Sequence, residues 1–93
     1  MKIELKTNYS VPDREDDVIS LPPSVGTLRD LLLYLGERIR FEFVDARRGT
    51  LAWDLEIEIL LNGKDFIFLP RGLETPLNEG DSLEIYLLPL GGG

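Results

Sequence analysis

Residues 26–39 read GTLRDLLLYLGERI, and the fold turns on what they form. Leu28, Leu31, Leu32, Leu35 and Ile39 fall at i, i+3, i+4, i+7 and i+11, so a helix gathers them into one apolar stripe. Thr27 stands where an N-cap is wanted, and Asp30 three residues on completes an approximate capping box. Gly36 costs about 1 kcal/mol relative to Ala, which predicts fraying from that point onward. Upstream, Pro22, Pro23 and Gly26 interrupt any earlier periodicity. A helix with a single stripe has one surface to lie on, and it should be a sheet.

The flanking segments supply that sheet. Residues 1–8 alternate Met1, Ile3 and Leu5 against Lys2, Glu4 and Lys6, a strand pattern. After the turn-rich NYSVPDREDD, the stretch DVISLP reads as a second strand closing a hairpin. Beyond the helix, LEIEILLNG is a strand ending in Asn62-Gly63, a strong short hairpin signal, and KDFIFL is its expected return. RGLETPLNEGD is a run of turns, and SLEIYLLPL is the last strand. RFEFVDARRGTLAWD stays open between small strands around an Arg47–Gly49 turn and a long loop tucking Phe41, Phe43, Leu51 and Trp53 under the core. Arg47 and Arg48 read either as an anion-binding pair or as solvated turn residues, as surface charges mostly are.

The order β-β-α-β-β predicts an α+β chain, a β-grasp (ubiquitin-like) fold with a mixed sheet of four to five strands and one main helix packed across it. The ferredoxin-like alternative needs a second amphipathic helix, and none is visible after residue 40. Ninety-three residues allow one domain. We divide it into a body, 1–88, and a flexible glycine tail, 89–93.

Composition narrows the chemistry. Cys and His are both absent, which removes disulfides, thiolate and imidazole metal ligands, cysteine nucleophiles and the commonest general base. No metal site is expected. Glu56 and Glu58 alternate with Leu55, Ile57 and Ile59, as on a solvated strand face rather than in a hydrolase cleft. A net charge of −7, from 17 acidic and 10 basic residues, disfavours nucleic acid. It suits a basic partner or simple solubility. No apolar run is long enough for a bilayer, and MKIELKTN resembles no targeting peptide. The expected setting is cytoplasmic, away from membranes.

The sequence ends in LLPLGGG, Leu87 to Gly93, which reads as a linker or as a working thread. The second half decides between them by its likeness to a family. ILLNGKDFIFLPRGLETPLNEGDSLEIYLLPLGGG resembles the small subunit of molybdopterin synthase, the thiamine-pathway sulfur carrier and the ubiquitin-related modifiers. The shared pattern is Leu61-Asn62-Gly63, Gly72-Leu73, Gly80-Asp81 and a Gly92-Gly93 end, preceded by a Thr-led, Leu-rich helix. Two departures stand out: Leu88-Pro89-Leu90 where molybdopterin members commonly carry two prolines, and a third glycine, Gly91.

The resemblance implies a carrier, not an enzyme acting alone. A partner activating enzyme would use ATP to adenylate the carboxylate of Gly93, and sulfur delivery would leave a thiocarboxylate. Sulfur would then pass to a precursor held by a second partner, the molybdopterin synthase large subunit or an equivalent acceptor. The chain itself would bind no cofactor. Gly91 and Gly92 would thread the partner's channel, since glycine lacks the Cβ that would crowd the carbonyl. Docking would fall to Leu60, Tyr86, Leu88 and Leu90, with Glu56, Glu58 and Glu84 beside them. Conjugation of the same glycine to lysines, or a non-catalytic β-grasp interaction module, are the alternatives.

Overall fold

The computed structural model describes residues 1–9, 11, 16–52 and 56–88. Strand β1 (Lys2–Thr7) pairs antiparallel with β2 (Val18–Ser20), Ile3 opposite Ile19. Helix α1 (Leu28–Ile39) follows, then a separate two-stranded ladder of β3 (Val44–Asp45) and β4 (Thr50–Leu51). The main sheet resumes with β5 (Ile57–Leu61), β6 (Lys64–Asp65) and β7 (Ser82–Leu87). Its order is β2-β1-β7-β5-β6, so β7 lies in the centre, parallel to β1 and antiparallel to β5.

The helix begins as its sequence dictates. The Thr27 hydroxyl accepts the Asp30 N–H, and the Asp30 carboxylate accepts the N–H groups of Thr27 and Gly26. Leu28, Leu31, Leu32 and Leu35 are fully buried and Ile39 partly so. Burying each leucine is worth about 2 kcal/mol. They pack in one cluster with Ile3, Leu5, Ile59, Leu83 and Ile85.

The structure corrects the expectation at Gly36. The helix runs on to Ile39 and closes with Arg40 in the left-handed region, φ 56°, its N–H donating to the Gly36 carbonyl. The chain then doubles back so tightly that a Cβ on Gly36 would lie 2.5 Å from the Phe41 oxygen. The glycine makes room for this reversal.

A second correction concerns the return from Asn62-Gly63. Both residues take positive φ, 52° and 81°, as a tight hairpin turn requires, but only Lys64–Asp65 pair as a strand. Phe66–Phe68 instead form a 3-10 turn, because the Asp65 carboxylate accepts the Ile67 N–H and caps it. The open stretch after the helix combines both readings. Asp45 faces Thr50 across a small ladder, while Phe43 is buried and packs against the tilted Phe41 ring, centroids 4.7 Å apart. Trp53 lies outside the described residues.

Candidate functional site

Alternation along β5 and β7 sends Ile57, Ile59, Leu61, Leu83 and Ile85 under the helix. Glu58, Leu60, Glu84 and Tyr86 are left on the opposite face. The register sets Glu58 against Tyr86 and Leu60 against Glu84, so Leu60 and Tyr86 are diagonal neighbours, each facing a carboxylate. Both are half-buried. The Tyr86 hydroxyl donates to Glu84 Oε1 at 2.7 Å. That bond raises the phenol's pKa, helped by desolvation and by the charges of Glu84 and Glu58. Tyr86 therefore presents a neutral ring with its hydrogen already committed.

Leu88 is 44% exposed just past β7, its N–H bonded to the Glu56 carbonyl at 2.7 Å. It lines a groove of about 840 Å³ together with Leu51, Ile57, Ile59, Phe66 and Leu73. Leu60 and Tyr86 are thus brought together on the outer face, and Leu88, like Glu58 of that face, lines the groove. Leu90, Gly91, Gly92 and Gly93 lie outside the described residues, as does the boundary at 89.

Sequence reasoning missed Ile67 and Phe68, which are 75% and 64% exposed on the 3-10 turn. The signal was the unbroken Phe-Ile-Phe run, which offers no polar alternate for a half-buried strand. It also missed Asn8, whose side chain bonds the Leu87 main chain and holds the end of β7 from the β1 side. Arg48 is engaged rather than free, pairing with Asp45 at 3.0 Å. The Asp45 carboxylate in turn accepts the N–H groups of Arg47 and Arg48, and the Arg48 contacts hold its pKa below the ordinary value. Among the described residues no group of Asp and Glu is placed to hold a metal ion, and no helix is long and apolar enough to cross a membrane.

Neither a family model nor a curated protein matches the chain. Solved structures do. HVO 2177 of Haloferax volcanii aligns over 99% of this chain and 87% of its own, with a TM-score of 0.65 and 20% identity. Urm1 of Trypanosoma brucei aligns over 98% and 95%, with a TM-score of 0.61 and 21% identity. The fold is the ubiquitin-like β-grasp. Small archaeal modifier protein 1 of Methanosarcina acetivorans shares it at a TM-score of 0.59 and 27% identity, over 99% of this chain and 96% of that one.

Within this β-grasp the turn motifs are scaffold. Asn62 Nδ2 donates to Asp81 Oδ1 at 3.1 Å, and Asn62 Oδ1 accepts the Ser82 N–H at 2.8 Å. Asp81 also accepts the Asn78 N–H at 2.8 Å. The Asn-Gly and Gly-Asp turns are therefore knitted together at the start of β7. They hold the start of the strand in place.

Proposed function

We propose that this chain is a carrier of an activated acyl group at Gly93, and that the group is a thiocarboxylate. A Gly93 carboxylate oxygen attacks the α-phosphate of ATP in a partner activating enzyme and displaces pyrophosphate. A sulfide-level sulfur nucleophile from a partner then attacks the acyl carbon and releases AMP. The thiocarboxylate carries sulfur to an acceptor, for which molybdopterin formation in the cytoplasm is the reading we favour. Residues 1–88 serve as the body and 89–93 as the reacting segment, with Gly91 and Gly92 entering the partner's channel.

One observation carries this reading. The central strand β7, bonded to Asn8 on one side and to β5 on the other, delivers Leu88 directly to the sequence Pro89-Leu90-Gly91-Gly92-Gly93. Leu60 and Tyr86 on the adjoining face, with Leu88 and Leu90, provide the docking anchors. The catalytic groups belong to the partners, consistent with a chain that has neither His nor Cys. A protein modifier joined to lysines through the same glycine is the second reading, favoured by the name of the archaeal modifier that shares the fold.

The test is the mass of the intact protein from its native cells, together with ATP–pyrophosphate exchange by the activating enzyme. One oxygen replaced by sulfur at Gly93 supports the carrier, and an isopeptide linkage to lysine supports the modifier. Deleting Gly92 and Gly93 should abolish exchange and leave the unfolding midpoint in place. Exchange that survives the deletion overturns both readings.

A further inference from the structure

Asn8 sits where the sheet hands over to the glycine segment. β1 ends at Thr7, opposite Ile85, while β7 runs on to Leu87. Over that stretch the Asn8 side chain takes the place of the missing strand. Its Nδ2 donates to the Leu87 carbonyl at 2.8 Å, and its Oδ1 accepts the Leu87 N–H at 2.9 Å. On the other flank the Leu88 N–H donates to the Glu56 carbonyl at 2.7 Å. Two successive residues are thus gripped from opposite sides. Pro89 follows and has no N–H to give, so Leu87 and Leu88 carry the last main-chain donors ahead of the proline.

The carboxamide is itself held in place. Thr7, before it, belongs to the β1–β7 ladder. Tyr9, after it, packs against the core with its ring 6.3 Å from that of Phe43, and its carbonyl accepts the Thr7 hydroxyl. Both neighbours of Asn8 are therefore fixed, and its side chain meets Leu87 with little freedom left to lose. Exposed bonds of this kind add little to stability, because water competes for them. Their weight lies in direction, since they act on the residues from which the thread departs.

We propose that Asn8 is a positioning residue for the reaction at Gly93, an inference that rests on the carrier reading given above. The clasp sets the line along which the thread leaves the body, and so where the carboxylate arrives in the activating enzyme. Gly93 stands five residues past Leu88, a reach of at most about 18 Å when extended. Misplacing a reacting group by about 1 Å can cost about a hundredfold in rate. The partner's channel grips the glycines and absorbs part of such an error, so loss of the clasp should cost about tenfold. Docking through Leu60 and Tyr86 is left as it was, and the effect falls on kcat rather than KM.

The experiment is ATP–pyrophosphate exchange by the activating enzyme, with the full chain as the varied substrate. Asn8→Ala should lower kcat about tenfold and leave KM within about twofold of the parent. Asn8→Asp should do no better, because it keeps an acceptor for the Leu87 N–H but sets a second acceptor against the Leu87 carbonyl. Ile19→Val trims the core at the far edge strand and controls for lost stability. Its kcat should match the parent. In the free chain, amide order parameters at Leu87 and Leu88 should fall in Asn8→Ala from about 0.85 towards about 0.6, while Ile85 stays rigid.

Parent-level kcat in Asn8→Ala overturns the inference and leaves the carrier reading standing. So does an equal fall in Ile19→Val, which would assign the effect to stability. A rise in KM at unchanged kcat would move Asn8 into the docking surface and overturn it too, as would unaltered order parameters at Leu87 and Leu88. Absence of exchange with the parent chain removes the carrier reading and this inference with it.

Discussion

Asn8 pairs with Leu87 as though its side chain were a piece of strand. Asn8 Nδ2 donates to the Leu87 carbonyl at 2.8 Å, and Asn8 Oδ1 accepts the Leu87 N–H at 2.9 Å. A carboxamide reproduces the donor and acceptor of a peptide unit, so the ladder between β1 and β7 gains a rung after β1 has ended. Asn8→Ala should cost about 1 kcal/mol of stability, since the bonds are exposed and water competes for them. Exchange of the Leu87 amide should accelerate well beyond that of Ile85. An unchanged Leu87 rate would show that the side chain holds nothing.

Gly36→Ala sets helix propensity against close packing. Propensity favours alanine by about 1 kcal/mol, yet the new methyl would stand 2.5 Å from the Phe41 oxygen, a main-chain atom. Overpacking of this kind costs about 1–3 kcal/mol, so the variant should lose stability in urea unfolding. A gain would mean that the reversal at Arg40 and Phe41 is loose enough to move aside.

Docking on the outer face predicts that Tyr86→Asp weakens association with the activating enzyme by about 2 kcal/mol or more, as a central anchor would. Leu60→Asp should do the same but also destabilise the fold, because it sets a carboxylate directly opposite Glu84. Leu60→Lys separates the two effects, with a favourable partner in Glu84 and no apolar anchor. Calorimetric affinities that match the parent for Leu60→Lys and Tyr86→Asp would remove this face from the interface.

Asp30 ties stability to pH. Its carboxylate pKa is held below the ordinary aspartate value chiefly by the Gly26 N–H, with opposing desolvation and further lowering by Thr27 and Arg29. The unfolded chain therefore takes up the proton first as pH falls. The contribution is whole above the unfolded pKa and is lost as pH drops through the folded one. Asp30→Asn should be less stable than the parent at pH 7, and the gap should shrink below about pH 4. Urea midpoints that differ equally at pH 7 and at pH 2 would show that the charge is not the operative feature.

What was legible in the sequence depended on periodicity and on turn chemistry. The leucine stripe, the Thr27–Asp30 cap and the Asn62-Gly63 turn are local rules, and the structure obeys them. Phe66–Phe68 was misread because a continuous apolar run has no phase, so the Asp65 cap decided its conformation. Gly36 was correctly marked as a weak helix former, but the reversal that needs it is a tertiary contact with no local signature. Asn8 is the same kind of case, since a side chain standing in for backbone leaves no period. The outer-face residues Leu60 and Tyr86 could be placed because alternation assigns faces. Leu88 could not be followed into the groove from alternation alone.

The central position of β7 also governs how the molecule is made. β1 has to wait for a parallel partner from the far end of the chain, a long-range closure of the kind that slows folding. Until β7 arrives, the facing sides of β1 and β5 are uncovered and prone to sticking. A nascent or truncated chain without Ser82–Leu87 has no five-stranded sheet to close, only the β1–β2 hairpin, the helix, the β3–β4 ladder and the β5–β6 hairpin. The glycines follow the strand that completes the fold, so a chain that has synthesised them already contains every piece of its core. Synthesis thus delivers the core-completing strand before the glycines.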